Sequence, residues 1–306
     1  MKLGTVELDD GTTTVVVETD SETVVLEGYQ DLDALIAAGE DTWRTAAGQA
    51  LNDGARLNRD EFQWLPPVRR PGKVLCVALN NSANPDRIKS GPDTPAMFTK
   101  PSSSLLGHGR SIIVKDMYGR VHPEPELAVV IGRGGADIAV DEALAHVFGY
   151  TIINDLTSPT MRGTDTFNYR AIHPAPEEAG GTRYVDSWVS YPARYKGADT
   201  FGPLGPWVTT AEDLPDPHAL RITCSHNGRI VTDDSTANLR FSVAEVISFA
   251  SHYLTLEPGD IIAMGTALKA SAQGGAVQNV DLVELGGTVE VAIEGIGTLS
   301  NPVEKR

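Results

Sequence analysis

The stretch Val121–Gly132 constrains this chain more than any other. It sets Glu124 and Glu126 two residues apart, directly ahead of the unbroken apolar run Leu127-Ala128-Val129-Val130-Ile131. A short continuous apolar run reads as a strand buried on both faces. Side chains alternate on extended backbone, so the two carboxylates share one face at the mouth of that strand. Like charges held in parallel there are costly unless a cation lies between them. Oxygen-only donors favour Mg2+ or Mn2+, with Ca2+ as a further option, over Zn2+. A third carboxylate, Asp155, ends a second apolar strand, Tyr150–Asn154. The competing reading is a solvated acidic face, the commoner fate of a Glu-x-Glu pair. Pro123 and Pro125 also suit a sheet edge, where exposed acids are ordinary.

The 306 residues suffice for one large domain, alone or with a small companion. A formal net charge of −16 argues against nucleic acid and against anionic membrane surfaces as partners. It does not exclude an anionic small molecule, because a bound divalent ion and a few local cations reverse the local field. Cys76 and Cys224 each sit in an apolar, strand-like context, which predicts buried thiols rather than a disulfide or a metal site. The first residues lack the apolar segment of a secretory leader, and no apolar stretch has the length of a membrane span, so the expectation is a cytoplasmic protein.

Residues 1–66 read as a separate small α+β domain: short strands near 6–8, 13–19 and 22–26, then a helix over 31–51 stopped at Asn52-Asp53-Gly54. A Pro-rich linker, 64–72, separates it from a larger domain, 67–306. Strands are predicted over 74–79, 111–114, 126–131, 150–154, 220–225, 260–264 and 288–293. Helices are predicted over 141–148 and 242–254, the second opened by the capping box Ser242-Val243-Ala244-Glu245. Helices are too few to alternate with strands, so the fold class is β-rich α+β rather than doubly wound.

In this order the segments resemble the fumarylacetoacetate hydrolase family over roughly Pro66–Val303. Pro71-Gly72-Lys73-Val74 followed by Leu79-Asn80 is similar to the family's opening strand. Pro95–Ser103 is similar to its P-x-x-F-x-K-P-S segment, Glu124-Pro125-Glu126-Leu127 to its Glu-x-Glu-Leu motif, and Gly149–Thr157 to its G-Y-x-x-x-N-D-x-T motif. Lys196–Phe201 with Pro203–Trp207 resembles its active-site lysine stretch, and Leu256–Thr266 and Gly295–Val303 close the pattern. The resemblance implies a mixed β-roll, usually in a homodimer, around one Mg2+ or Mn2+ ion, acting on 2-oxo or β-diketo acids. It implies Glu124, Glu126 and Asp155 as metal ligands, Lys196 as a catalytic donor to a developing oxyanion, and Thr266 as a substrate-binding residue.

The chain departs from that pattern in four places. Asn84 and Arg87 stand where many members carry the His and Glu of a proton-moving dyad, and Asn is no general base near neutral pH. Pro159 and Arg162 stand where Arg and Gln are common, which makes Arg162 a candidate for a substrate carboxylate or for a surface ion pair. The segment between Asp155 and Lys196 is long and rich in aromatic residues, Arg and His. Together with His122, its His173 is a candidate replacement base, although a lone His is more often structural. Last, Thr266-Ala267-Leu268-Lys269 replaces a Thr-Pro turn, and Lys269 is a candidate charge at the substrate. Segments 80–90, 159–195 and 266–275 are expected to line the pocket. The leading expectation is a metal-dependent C–C bond hydrolase of a β-dicarbonyl or 2-oxo acid. A decarboxylase or keto–enol isomerase of 2-oxo acids is the alternative, and a non-catalytic metal-binding member is a third reading.

Overall fold

The computed structural model describes residues 1–175, 180–272 and 275–306, in which the strand signals assemble into two sheets and one ribbon. The larger sheet has 12 strands, and its centre runs Gly202–Thr210, Val147–Asn154, Pro125–Ile131, Ile261–Ala263, Val74–Ala78. Neighbours there are antiparallel, except that Ile261–Ala263 runs parallel to Val74–Ala78. The second sheet has five strands, Arg229–Ser235, Arg221–His226, Thr288–Ile293, Gly297–Lys305 and Ile112–Val114. The fold is therefore the β-rich α+β architecture with a mixed sheet that the sequence implies.

Strand Pro125–Ile131 is buried at every position. Leu127, Val129 and Ile131 enter a core shared with Ile222, Val289 and Val291 of the second sheet and with Val246 and Ile247 of helix Val243–Ser251. Ala128 and Val130 enter a separate core with Cys76, Ile153, Leu204, Leu3 and Val17. Burial on both faces is why this run is continuously apolar instead of alternating.

Residues 1–66 are continuous with the central sheet. Lys2 and Leu3 pair with Thr209 and Val208, and the strands Lys2–Leu8, Thr13–Glu18, Thr23–Leu26 and Arg56–Leu57 extend the sheet at that edge. The Pro-rich stretch behaves as packed chain: Leu65 and Val68 are buried, and Pro67 O accepts from Thr5 Oγ1 at 2.8 Å. A composition shift thus marks this segment without marking a break in the hydrogen-bonded sheet.

Two helix expectations change. The helix over 31–51 is split into Leu32–Ala37 and Glu40–Asp53 by Gly39, whose φ of +93° only glycine adopts cheaply. The helix over 141–148 is instead a 3-10 turn, Ala143–His146, leading into strand Val147–Asn154. There Val147 pairs with Ile131, and Phe148 packs edge-on against Trp43 at 5.3 Å, so tertiary pairing overrides a weak helical pattern. The capping box does form: Ser242 Oγ accepts from Glu245 N–H at 3.3 Å, and Glu245 Oε2 accepts from Ser242 N–H at 2.7 Å. The long segment after Asp155 forms helix Pro159–Thr164 and then a ribbon, Thr166–Ala175 paired with Gly181–Ser190. Residues 176–179 and 273–274, within the segments expected at the pocket, lie outside the described residues.

Leu3 is fully buried where the N-terminal strands meet the central sheet. Leu3→Ala should lower stability by about 2–5 kcal/mol while unfolding remains a single cooperative transition. Urea denaturation followed by both circular dichroism and tryptophan fluorescence checks this, and a separate early transition would contradict the continuous sheet.

Candidate metal centre and its cavity

The antiparallel ladder between Pro125–Ile131 and Val147–Asn154 places the acids. Glu126 pairs with Ile153, and one step outward Asp155 N–H donates to Glu124 O at 2.9 Å. Glu124 and Asp155 therefore face each other across the ladder, with Glu126 one pleat inward on the face that carries Ala128 and Val130. One oxygen from each of the three carboxylates lies within 4.8 Å of the others. Asn154 Oδ1 accepts from Glu124 N–H at 2.8 Å and fixes the backbone at this corner. The ladder resumes at His122, which exchanges backbone hydrogen bonds with Thr157 at 3.0 and 3.1 Å. His122 thus shares the acids' face despite Pro123.

A solvated acidic face is excluded, since Glu126 is 2% exposed and Asp155 1%. The charges are offset by two buried lysines. Lys196 Nζ donates to Glu124 Oε2 at 2.7 Å and to Asp155 Oδ2 at 2.5 Å, and lies 5.3 Å from the centre of the Phe98 ring. Lys100 Nζ sits 2.7 Å from Asp155 Oδ1 and donates to the Lys196 carbonyl. Burial alone would raise the Asp155 pKa, but Lys100 and Lys196 together hold it below the usual carboxylate range. Burial would likewise lower the Lys196 pKa, yet Asp155, Glu124 and Glu126 drive it upward, so the side chain stays an ammonium. Glu126 fares otherwise: desolvation first, then the charge of Asp155, push its pKa well above normal. Burial also lowers the His122 pKa and keeps the ring neutral. A carbonyl can only accept, so the 3.1 Å contact of His122 Nδ1 with Pro123 O places the ring proton on Nδ1 and leaves Nε2 as an acceptor.

Two donors hold Glu126 in place. Gly265 N–H donates to its Oε2 at 2.8 Å. The Thr266 hydroxyl lies 3.1 Å from Glu126 Oε1 and 2.9 Å from Glu124 Oε2, so its single proton serves one of them at a time. Gly265 has a φ of +97°, and a Cβ there would stand 2.8 Å from Asn80 Cβ, which explains the glycine. The residues fit a hard divalent ion. The three donors are all oxygen, Glu126 is buried against its charge preference, and Asp155 Oδ1 has no directed hydrogen-bond donor because Lys100 meets it off-angle.

The acids form the floor of a cavity of about 550 Å³. His122, Arg162, Lys196 and Thr266 line it with them, and so does Arg87. Two sequence candidates are placed elsewhere. His173 is exposed on the ribbon and does not line the cavity, because only the base of the ribbon reaches it, at Ser190. Lys269 is exposed and lines a neighbouring depression with Ala83, Asn84 and Arg87, since the backbone after Thr266 turns its side chain outward. A larger groove of about 880 Å³, lined by Trp64, Trp207 and three arginines, lacks comparable chemistry. Its Arg59, Arg110 and Arg306 are paired with Glu18, Glu7 and Glu304.

Sequence reasoning missed two groups. Lys100 was legible as a cation ending strand Ala96–Lys100, but its pairing with Asp155 depends on the fold. Asp234 gave no signal at all. Its Oδ2 accepts from the amides of Leu268 and Lys269 at 2.8 and 3.0 Å and from Asn81 Nδ2 at 3.0 Å, tying together the two loops that flank the cavity. Burial opposes its ionisation, but these amides, Ser235 N–H and Asn238 Nδ2 hold its pKa below normal. A carboxylate whose folded pKa is depressed stabilises the fold above its unfolded pKa, and this contribution is lost as pH falls through the folded value. Asp234→Ala should thus lower stability by roughly 2 kcal/mol or more at pH 7, with a smaller deficit below about pH 4. Urea denaturation of both proteins across that range measures it, and a pH-independent difference would contradict the assigned ionisation.

Residues 73–304 match the family described as Fumarylacetoacetate (FAA) hydrolase C-terminal. The mitochondrial oxaloacetate tautomerase Fahd2a of Rattus norvegicus is 32% identical over 248 residues, covering 81% of this chain and 71% of the relative. The 5-carboxymethyl-2-hydroxymuconate delta-isomerase from Mycobacterium smegmatis has a similar structure, with a TM-score of 0.71 at 28% identity, covering 100% of this chain and 99% of that one. A maleylpyruvate hydrolase from Sphingobium sp. SYK-6, solved with manganese(II) and pyruvate, has a TM-score of 0.75 at 26% identity, with the same coverage. The matched region contains the carboxylate triad, both buried lysines and the five central strands of the larger sheet, and the chain belongs to the fumarylacetoacetate hydrolase family.

Proposed function

We propose that this protein is a divalent-metal-dependent isomerase of 2-oxo acids that interconverts their keto and enol forms. The observation that carries the reading is the cavity's acid–base inventory. Among the described residues one imidazole, His122, lines it beside the carboxylates, its Nε2 3.9 Å from Glu124 Oε1 and the Tyr195 side chain on the same wall, while Asn84 and Arg87 stand at the positions of the family's His–Glu dyad. Asn84, at the position of the family's dyad His, uses its side-chain oxygen to cap the turn Pro85–Arg87 by accepting from Asp86 N–H at 3.2 Å. Enolisation needs one group that carries a proton between carbon and oxygen. Hydrolysis also needs an activated water.

Glu124, Glu126 and Asp155 would hold the ion, which when bound supplies Lewis acidity toward the carbonyl oxygen of a 2-oxo acid. The chain's own groups do the rest. His122 Nε2, with its lone pair free, takes the proton from the carbon beside the carbonyl and returns it to oxygen. The Lys196 ammonium, fixed between Glu124 and Asp155, offsets negative charge as it develops on the substrate. The Arg162 guanidinium at the rim suits a carboxylate. Decarboxylation of a 3-carboxylated substrate would use the same residues, because it needs the same stabilised enolate. C–C hydrolysis is the second reading, supported by the likeness to a maleylpyruvate hydrolase.

Proton–deuterium exchange at C3 of oxaloacetate, followed by NMR with the Mg2+- or Mn2+-loaded protein, tests this. Exchange should be fast in the wild type and fall at least about 100-fold in Glu126→Gln, with loss of metal binding by calorimetry. His122→Asn should retain metal binding and lose about 10²- to 10⁴-fold in exchange rate. Cleavage of an acylpyruvate into two acids without accelerated C3 exchange would replace this reading with the hydrolase.

A further inference from the structure

The ribbon Thr166–Ala175 with Gly181–Ser190 lies in the long segment by which the chain departs from the family pattern, and only its base reaches the carboxylate cavity. We propose that this ribbon binds the same ribbon of a second copy of the chain, edge to edge across a two-fold axis, through strand Gly181–Ser190. The inference is independent of the isomerase reading.

Three observations carry it. The first is apolar surface. Among the described residues 14 large apolar side chains are exposed, and seven of them fall between 167 and 191. Cross-strand partners share a face of a ribbon. Ile172 and Tyr184 are such partners and share theirs with Trp188. Phe167, Tyr169 and Val185 occupy the other face, and Phe167 meets Tyr191 edge-on at 6.2 Å. The five aromatic residues are 48–72% exposed. A whole aromatic side chain buries about 150–250 Å², so with Ile172 and Val185 the ribbon offers on the order of 800 Å², the share one partner gives to a standard interface. Monomers rarely leave so much apolar surface open in one place.

The second is the edge. The two strands pair with each other and, among the described residues, with no other strand. A lone two-stranded ribbon is marginally stable in water. Its register runs through ten residue pairs without a bulge. Thr166–Ala175 carries Pro174, which has no N–H to donate. Gly181–Ser190 has no proline, no lysine and no bulge, the devices that keep an edge strand from pairing. An edge this long and unguarded takes up a further antiparallel strand. A copy of itself is self-complementary across a two-fold axis, and the pairing closes, because each copy consumes the free edge of the other.

The third is charge, which selects the occupant. Residues 166–190 carry two arginines and three acids, a net of −1, while the whole chain carries −16. Two copies therefore repel over most of their surfaces and least at the ribbon. Asp186 is already met by Arg170 across its own ribbon, Nε to Oδ1 at 3.4 Å, so no bare like charges face each other at the junction. A two-fold axis normal to the ribbon preserves its faces, so the aromatic face of Tyr184 and Trp188 continues into the same face of the second copy.

Sedimentation equilibrium and hydrogen–deuterium exchange on the full chain test this. The wild type should associate, and the double variant Tyr184→Glu with Trp188→Glu should weaken association at least about 100-fold, removing one two-fold step of assembly. Alternate amides of Gly181–Ser190 point away from Thr166–Ala175. In the assembled wild type these outward amides should be protected from exchange, and they should lose protection on dilution below the dissociation constant. Met117→Glu, at an exposed apolar side chain elsewhere, should leave that protection unchanged. The exchange readout on the wild type needs no variant, so misfolding of the double variant would not obscure the result. A monomeric wild type overturns the proposal in favour of a different partner or none. An assembly whose outward amides exchange freely, or which the folded double variant retains at full strength, overturns it in favour of contact through another face.

Discussion

The pairing of Pro125–Ile131 with Val147–Asn154 is the constraint on which the rest of this molecule depends. Both strands are buried along nearly their whole length, and their register carries three carboxylates to one end of one face. Such a cluster is unstable unless cations meet it, because burial strengthens repulsion between like charges. Lys100 and Lys196 supply two of these, from a strand on the far side of the sheet and a short helix after the ribbon. Even so Glu126 is pushed toward protonation, which is the electrostatic signature of a site made for a further positive charge.

Around this floor the cavity is assembled from loops whose own positions are fixed by buried polar side chains. Asn80 donates to Met264 O at 2.8 Å and accepts from Phe241 N–H at 2.7 Å, joining the end of strand Val74–Ala78 to the segment that carries Gly265 and Thr266. Asp234 does the same for the loops at 81 and 268. These hydrogen bonds are what let residues far apart in sequence face one ion with little freedom, since a buried polar group left unpaired is costly. Removing the family's dyad therefore leaves the loop ordered and changes what it presents.

Much of the site was legible because its signals are local. The Glu124–Glu126 spacing, the apolar run behind it and Asp155 at a strand end each follow from period-two alternation and from the cost of burying charge. His122 was legible for the same reason. His173 was misleading: a histidine in an aromatic-rich segment looks like a pocket residue, but that segment pairs with itself and carries it away. Lys269 misled because one turn of backbone after Thr266 decides which side the chain shows to the cavity. The helix expected over 141–148 failed through competition, since Val147 and Phe148 gain more from the ladder and from Trp43 than from a helical turn.

The amino-acid order by itself determined that this chain is β-rich, that three acids converge at strand ends, and that the proton-moving dyad is absent. The first two are matters of periodicity and residue type, and the third follows from the resemblance to the family. Only the tertiary structure decided that residues 1–66 continue the central sheet, that Lys100 is the second cation on Asp155, and that Arg87 shares a cavity with the acids. These depend on pairing and packing between segments tens to hundreds of residues apart, where no local propensity acts. Lys100 and Asp155 are neighbours because the fold sets the buried end of strand Ala96–Lys100 beside the buried residue that follows strand Val147–Asn154, where each charge needs a partner.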